Sequence, residues 1–254
     1  MSEEMTYPWF VWKGTDSRAK GVALAAYPAR QIPAPRRERV RIPGRSGSLT
    51  LASSEAYDPY RLTLEILVQP EWPAQEAVAW LRGRGTLILG DAADRRMEAE
   101  ITGGLSLRTL PGGWHAGTIA FNVQPLKGQF PPEPPIETAL FYNLYNPGDV
   151  AARPRYTVYG SGLLLLSVGY RPSIQEDWGS QITVDLSETN YTGALIDTES
   201  MMVTDPDGVE NLNHLSTIYF HGPKGLWVPP GECYISWNVE TVTRVKIEPR
   251  WRWI

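Results

Sequence analysis

A chain of 254 residues exceeds the usual single domain, and its length favours two. Apolar residues at 42% and charged residues at 20% exclude disordered and fibrous classes, while 23 Gly and 22 Pro alongside 10 Trp and 12 Tyr favour short strands joined by turns over a helical bundle. The net charge of -4 argues against a general nucleic-acid binder, and one cysteine, Cys233, excludes an intrachain disulfide and any cysteine-based zinc cluster.

The chain opens on MSEEMTYPWF, with Glu3 and Glu4 where a signal peptide carries Lys or Arg and with no apolar core after them, so the expectation is a protein that stays in the cytoplasm where it is made. Next, RRERVRI alternates Arg37, Arg39 and Arg41 with Glu38, Val40 and Ile42, and YRLTLEILV alternates Leu62, Leu64, Ile66 and Val68 with polar neighbours. A period of two predicts strands. Between these runs lies RIPGRSGSLTL, Arg41 to Leu51. It is neither a P-loop nor a nucleophile elbow, because Ser48 stands where the elbow needs glycine and no lysine follows. Pro43, Gly44 and Gly47 predict a turn that shapes a hairpin.

One helix is expected in EWPAQEAVAWLRGRG: Pro73 suits a first turn, Ala74, Ala77, Val78 and Leu81 share a face, and Gly83 suits the left-handed C-terminal cap. The runs GTLILGD, RRMEAEITG and HAGTIAFNVQP then read as three more strands. The seam QPLKGQFPPEPPIET, Gln124 to Thr138, holds five prolines and is expected to run extended with polyproline character without joining a sheet. Beyond it every element reads as a strand, from RYTVYG to the closing TRVKIEPRWRWI, at about ten-residue spacing. The fold class is therefore mainly β. The predicted domains are 1–128, a Pro-rich linker over 129–138, and a β-sandwich over 139–254. The first 128 residues hold 16 basic against 13 acidic side chains and the remainder 8 against 15, so the halves differ electrostatically.

The search for chemistry returns little. The most apolar run, GLLLLSVGY, is far below the roughly 20 residues of a membrane helix. Asp205-Pro206-Asp207-Gly208 lacks the remaining oxygen ligands of a calcium loop and reads as a tight turn. His115, His214 and His221 show no paired spacing, and no metal or cofactor site is expected. The carboxylates Glu176-Asp177 and Glu55…Asp58 are unpaired, no nucleophile, base and orienting group assemble, and the expectation is a protein that is not an enzyme. Two binding possibilities remain: the arginines Arg37, Arg39, Arg41 and Arg45 as a subunit contact, and Trp178, Tyr191 and Trp227 as aromatics for stacking on a sugar, against the more ordinary fate of core packing.

The whole order resembles a known family. An IPGR-G loop, a WL-G helix, a G-L-D-DR hairpin, a Pro-rich seam and a terminal strand VKIEPRWRWI resemble the distal tail (Dit) proteins of long, non-contractile-tailed bacteriophages and prophages. The resemblance implies an N-terminal β-sandwich or split-barrel domain with one helix and a long hairpin, and a C-terminal jelly-roll domain like galectins and carbohydrate-binding modules. It also implies a hexameric ring between the tail-tube protein and the tail-associated hub or lysin protein, located at the virion tail tip after synthesis in the bacterial cytoplasm. Peripheral domains then attach a receptor-binding protein or a host-surface glycan, DNA passes through the lumen without specific binding, and neither enzyme activity nor a cofactor is implied. The alternative, from a different class, is a carbohydrate-binding module on an oligomerising β-domain.

Overall fold

The computed structural model describes residues 7–41, 43, 46, 49–51, 56–173, 176–221 and 225–254, with 38–40, 49–51, 170–173, 176–178 and 220–221 described by their backbone alone. The chain divides into two compact units, Met1–Phe130 with Ile254, and Pro131–Trp253.

In the first unit the strands are β1 (Phe10–Trp12), β2 (Thr15–Asp16), β3 (Val22–Leu24), β4 (Glu38–Val40), β5 (Leu49–Leu51), β6 (Tyr60–Val68), β7 (Arg84–Leu89), β8 (Arg95–Ile101), β9 (Leu107–Thr109) and β10 (His115–Gln129). All of these except β4 and β5 form a curled half-barrel sheet in the order β2-β1-β7-β8-β10-β6-β3, with β9 also on β10. The alternation in β6 does what period two requires: Leu62, Leu64, Ile66 and Val68 are buried, and their neighbours face out. Each such side chain contributes about 1.5–3 kcal/mol on leaving water. The rings of Trp12 and Phe121 meet edge to face with centroids 5.1 Å apart in this core.

The single helix α1 (Ala74–Trp80) closes over the same core through Ala77 and Leu81, while Ala74 and Val78 stay half-buried. Pro73 takes the cap position before the first helical residue, and Gly83 turns left-handed at φ 73°, two residues past the cap Leu81. Trp80 stacks on Phe10 at 5.6 Å.

The seam departs from the sequence reading. Strand β10 runs on through Gln124 and Pro125, with Lys127, Gly128 and Gln129 paired to Met97, Arg96 and Arg95 of β8. The register shifts between Val123 and Lys127, so Pro125 sits in an irregularity where no ladder donor is needed. Ile136–Thr138 is also a strand, β11, paired in the second unit. Only the stretch between them, where four of the five prolines lie, stays outside a sheet.

The second unit continues with β12 (Tyr142–Asn146), β13 (Arg155–Gly160), β14 (Leu163–Ser173), β15 (Glu176–Asp185), β16 (Gly193–Asp197), β17 (Met202–Thr204), β18 (Ser216–His221), β19 (Gly231–Trp237) and β20 (Val242–Glu248). Two five-stranded antiparallel sheets, β11-β20-β13-β16-β17 and β12-β19-β14-β15-β18, share one core. Tyr156, Val158, Ile196, Val245 and Ile247 come from one sheet, and Leu164, Leu166, Ile182, Val184 and Ile235 from the other. That arrangement is a β-sandwich. The expected single terminal strand is broken: β20 stops at Glu248, Pro249 follows, Arg250 turns at φ 54°, and only Arg252–Trp253 resumes strand geometry. Trp251 is buried in the sandwich core even so.

The motif expected as a tight turn folds as one. Gly208 N–H donates to the Asp205 carbonyl at 2.9 Å, Gly208 takes φ 77°, and the Asp205 carboxylate accepts from the backbone of Val209 and Glu210 at 2.6 and 2.8 Å.

Candidate functional site

The first candidate is an arm inserted between β3 and β6. It is rooted by paired backbone bonds, Arg36 N–H to Ala56 and Asp58 N–H to Ala34 at 2.7 and 2.9 Å, by a Pro35–Tyr57 bridge, and by an ion pair between Arg36 and Asp58 at 2.9 Å. Beyond the root, and among the described residues, β4 and β5 pair only with each other, Glu38 opposite Leu51 and Val40 opposite Leu49. A two-stranded ribbon with no third strand buries too little to be stable alone in water, and exposed strand edges invite pairing with another chain. Ile32 at the approach to the root is 84% exposed, a large apolar side chain left uncovered.

The sequence-expected arginines distribute along this arm. Arg37 and Arg41 are exposed, and the backbone of Arg39 lies in β4 opposite Thr50. Arg45, Gly44 and Gly47 of the predicted turn lie outside the described residues. The hairpin expected around that turn is present as β4 and β5.

The second candidate is one end of the sandwich. Asp197 closes β16 and is opposite Arg155 of β13, whose Nη2 and Nε reach Asp197 Oδ2 at 2.9 and 3.2 Å. The left-handed turn at Arg250 brings a second guanidinium to both carboxylate oxygens at 3.2 Å, and the backbone N–H of Glu199 donates to Oδ1 at 3.0 Å. Arg252 pairs with Glu199 at 2.5 Å, and Glu248 approaches Arg155 at 3.8 Å. Partial burial pushes the Asp197 carboxyl up, but the hydrogen bonds from Arg155 and Arg250 and from the Glu199 backbone outweigh it and hold the group down at about 2. The hub fastens the chain's C-terminal run to the sandwich. Sequence reading missed it because Asp197 and Arg250 are 53 residues apart in sequence; the local signal was only a charged residue after a Pro-broken strand.

Beside this hub sits Trp227. Its Nε1–H donates to the Thr198 carbonyl at 3.2 Å, the Arg153 guanidinium lies 4.6 Å from its ring centroid, and the indole fills space that a Cβ on Gly225 would need, 2.8 Å from Nε1. A sugar stacking on Trp227 must compete with that guanidinium. Tyr191 is half-buried and packs against the sandwich core. Trp178 lies in β15 opposite Tyr170, and its side chain lies outside the described residues. The structure does not gather these three aromatics into one described cluster.

Among the described residues, no group of three His, Cys, Asp or Glu side chains is placed to hold a metal ion, and no helix is long and apolar enough to cross a membrane. His115 meets the Thr109 hydroxyl at 3.2 Å and His214 is exposed.

No family model and no curated protein matches the chain. Among solved structures, that of the SPP1 Dit protein, described as a paradigm of the hub adsorption apparatus in phages infecting Gram-positive hosts, aligns with 96% of this chain and 99% of its own length at a TM-score of 0.64 and 13% identity. The chain has a Dit-like fold. A fructofuranosidase from Schwanniomyces occidentalis also matches over 85% of this chain and 59% of its own, but a TM-score of 0.27 at 11% identity carries no argument. Within the Dit-like fold both candidate regions have a defined place: the arm interrupts the first unit between two strands that pair with each other, Val22 opposite Val68, and the carboxylate hub closes one end of the second.

Proposed function

We propose that this protein is a structural component of a phage tail tip, a distal-tail-type protein that assembles through its first unit into a hexameric ring. The ring joins the tail tube to the tail-associated hub protein. The second unit then serves as the peripheral domain that attaches a receptor-binding protein or contacts the host surface. The observation that carries this reading is the likeness to the SPP1 Dit protein over nearly the full length of both chains. The arm adds a physical reason for assembly, since a ribbon paired only with itself gains most by adding to a neighbour's sheet, and a head-to-tail contact that closes makes a ring. Arg37 and Arg41, and with them Arg39 and Arg45, are proposed as contacts to acidic groups of that neighbour.

Native mass spectrometry of the purified chain, followed by mixing with candidate tail-tube and hub proteins, tests the proposal. A species of six times 28.4 kDa that binds either partner is expected; a chain that stays monomeric at high concentration and joins neither contradicts it.

A further inference from the structure

An edge strand of the sandwich lacks the usual guards against pairing. Exposed edges are ordinarily blunted by charge, proline, a bulge or short length, because their unpaired backbone groups template a further strand. In one sheet, the edge strand β11 carries Glu137 in an ion pair with Arg244, and the edge strand β17 is three residues long. At the edge of the other sheet, β12 has none of these guards. Its sequence YNLYN holds no charge and no proline, and it pairs with β19 in unbroken register, from Tyr142 opposite Ile235 to Asn146 opposite Gly231. Pro147 follows only after the last paired residue.

Alternation divides the strand. Leu144 is buried and Tyr142 packs against the core, while Asn143 and Tyr145 turn outward, with Phe141 in phase before them. Phe141 is 71% and Tyr145 64% exposed, and Leu140 beside them is 67% exposed. Glu232, the charge opposite Tyr145, lies one strand in on β19. Large apolar side chains along an open strand edge mark a surface that another chain covers.

We propose that β12 pairs antiparallel with β12 of a second copy about a two-fold axis at Asn143, joining two five-stranded sheets into one. A two-fold contact requires a surface complementary to itself, and in this register the strand is. Phe141 falls opposite Tyr145 of the second copy, Tyr142 opposite Leu144, and Asn143 opposite Asn143, so aromatic meets aromatic outside and apolar meets apolar within. Moving the axis one residue either way sets an aromatic against Asn143 instead. No like charges meet, because the two Glu232 side chains stay three strand spacings apart, about 14 Å, beyond the roughly 8 Å reach of exposed charges in physiological salt. Covering Leu140, Phe141, Tyr145 and the strand edge on both copies removes on the order of 1,000 Å² from water, the size at which an interface becomes specific. A partner selected by charge finds no counter-charge on this strand. The inference goes beyond the tail-tip reading and does not rest on it: whatever the first unit assembles into, a two-fold contact through the second doubles the number of copies.

Cysteine cross-linking of the full-length chain reads the register directly. Residues opposed across antiparallel strands have Cα atoms about 4.5–5.5 Å apart, within the span of a disulfide, and the native Cys233 is buried. Under mild oxidation Asn143→Cys is expected to form a covalent dimer at least about tenfold faster than Glu188→Cys, an exposed position in the turn after β15, and the wild-type chain to form none. Asn143→Lys sets two ammonium groups face to face and is expected to halve the native mass of the assembly. Tyr145→Glu, which puts a charge against Phe141 of the second copy, is expected to do the same should the lysine variant fold poorly. Equal cross-linking rates at positions 143 and 188, or a native mass unchanged in both charged variants, overturns the proposal. So does protection of the β12 amides from hydrogen exchange that appears only when a different protein is added. The same samples separate this pairing from the ring: six-fold rings without a cross-link at position 143 remove only the pairing, and a cross-linked dimer that never exceeds two copies removes only the ring.

Discussion

Asp197 carries more of the second unit's electrostatics than any other described side chain, because two guanidiniums and backbone N–H groups converge on it. Its carboxyl is held at about 2 against an ordinary 3.8, so the folded state binds a proton less readily than the unfolded chain. Its contribution to stability is full above the unfolded value and is lost as pH falls from about 4 toward about 2. Asp197→Asn is expected to lower stability by about 1–2 kcal/mol at pH 7 and to flatten the acid side of the unfolding profile, read by urea denaturation between pH 2 and 7. A variant with the wild-type profile contradicts the hub. Cys233 behaves oppositely: it is 4% exposed and burial pushes its thiol up to about 12. A thiol reagent is expected to label it only at the rate of unfolding, and fast labelling of the native chain at pH 8 contradicts that burial.

At the scale of elements, legibility followed local pattern. Strand β6 and helix α1 were readable because their periodicity is confined to consecutive residues, and the same holds for the turn at Asp205–Gly208. Leu64, 1% exposed in β6, is expected to cost about 2–5 kcal/mol as Leu64→Ala, measured by chemical denaturation. Strand β10 was misjudged at Pro125, because sequence shows a missing donor and not that the ladder skips that position through a register shift. The break at Pro249–Arg250 was missed for a related reason: alternation of Trp251 and Trp253 with Arg250 and Arg252 continues across a turn held by Asp197, which no local pattern reveals. The packing of the Tyr234 ring over Gly169 was also illegible, since the two meet only through the register of β14 with β19. The arm was legible as a hairpin, while its isolation from every other sheet appeared only in three dimensions. Because β4 and β5 pair, among the described residues, with each other and with no strand of the main sheet, replacing residues 37–55 by a short Gly-Ser linker is expected to leave the first unit folded, with a melting temperature within a few degrees, and to abolish ring assembly. Loss of folding in that variant contradicts an arm that serves a neighbour.

At the scale of the whole molecule, 96% of the chain aligns with the SPP1 Dit protein, and the Dit-like fold was expected from soft motifs in succession rather than from any single site. The two units differ in build: one carries an arm whose strands pair with each other, and the other closes one end of its sandwich with two guanidiniums on the Asp197 carboxylate. The central claim is ring assembly. Negative-stain electron microscopy of the full-length chain, alone and with the proposed tail-tube partner, addresses it most directly: six-fold rings that disappear when the arm is removed are the expected result, and single particles of monomer size under both conditions contradict the account.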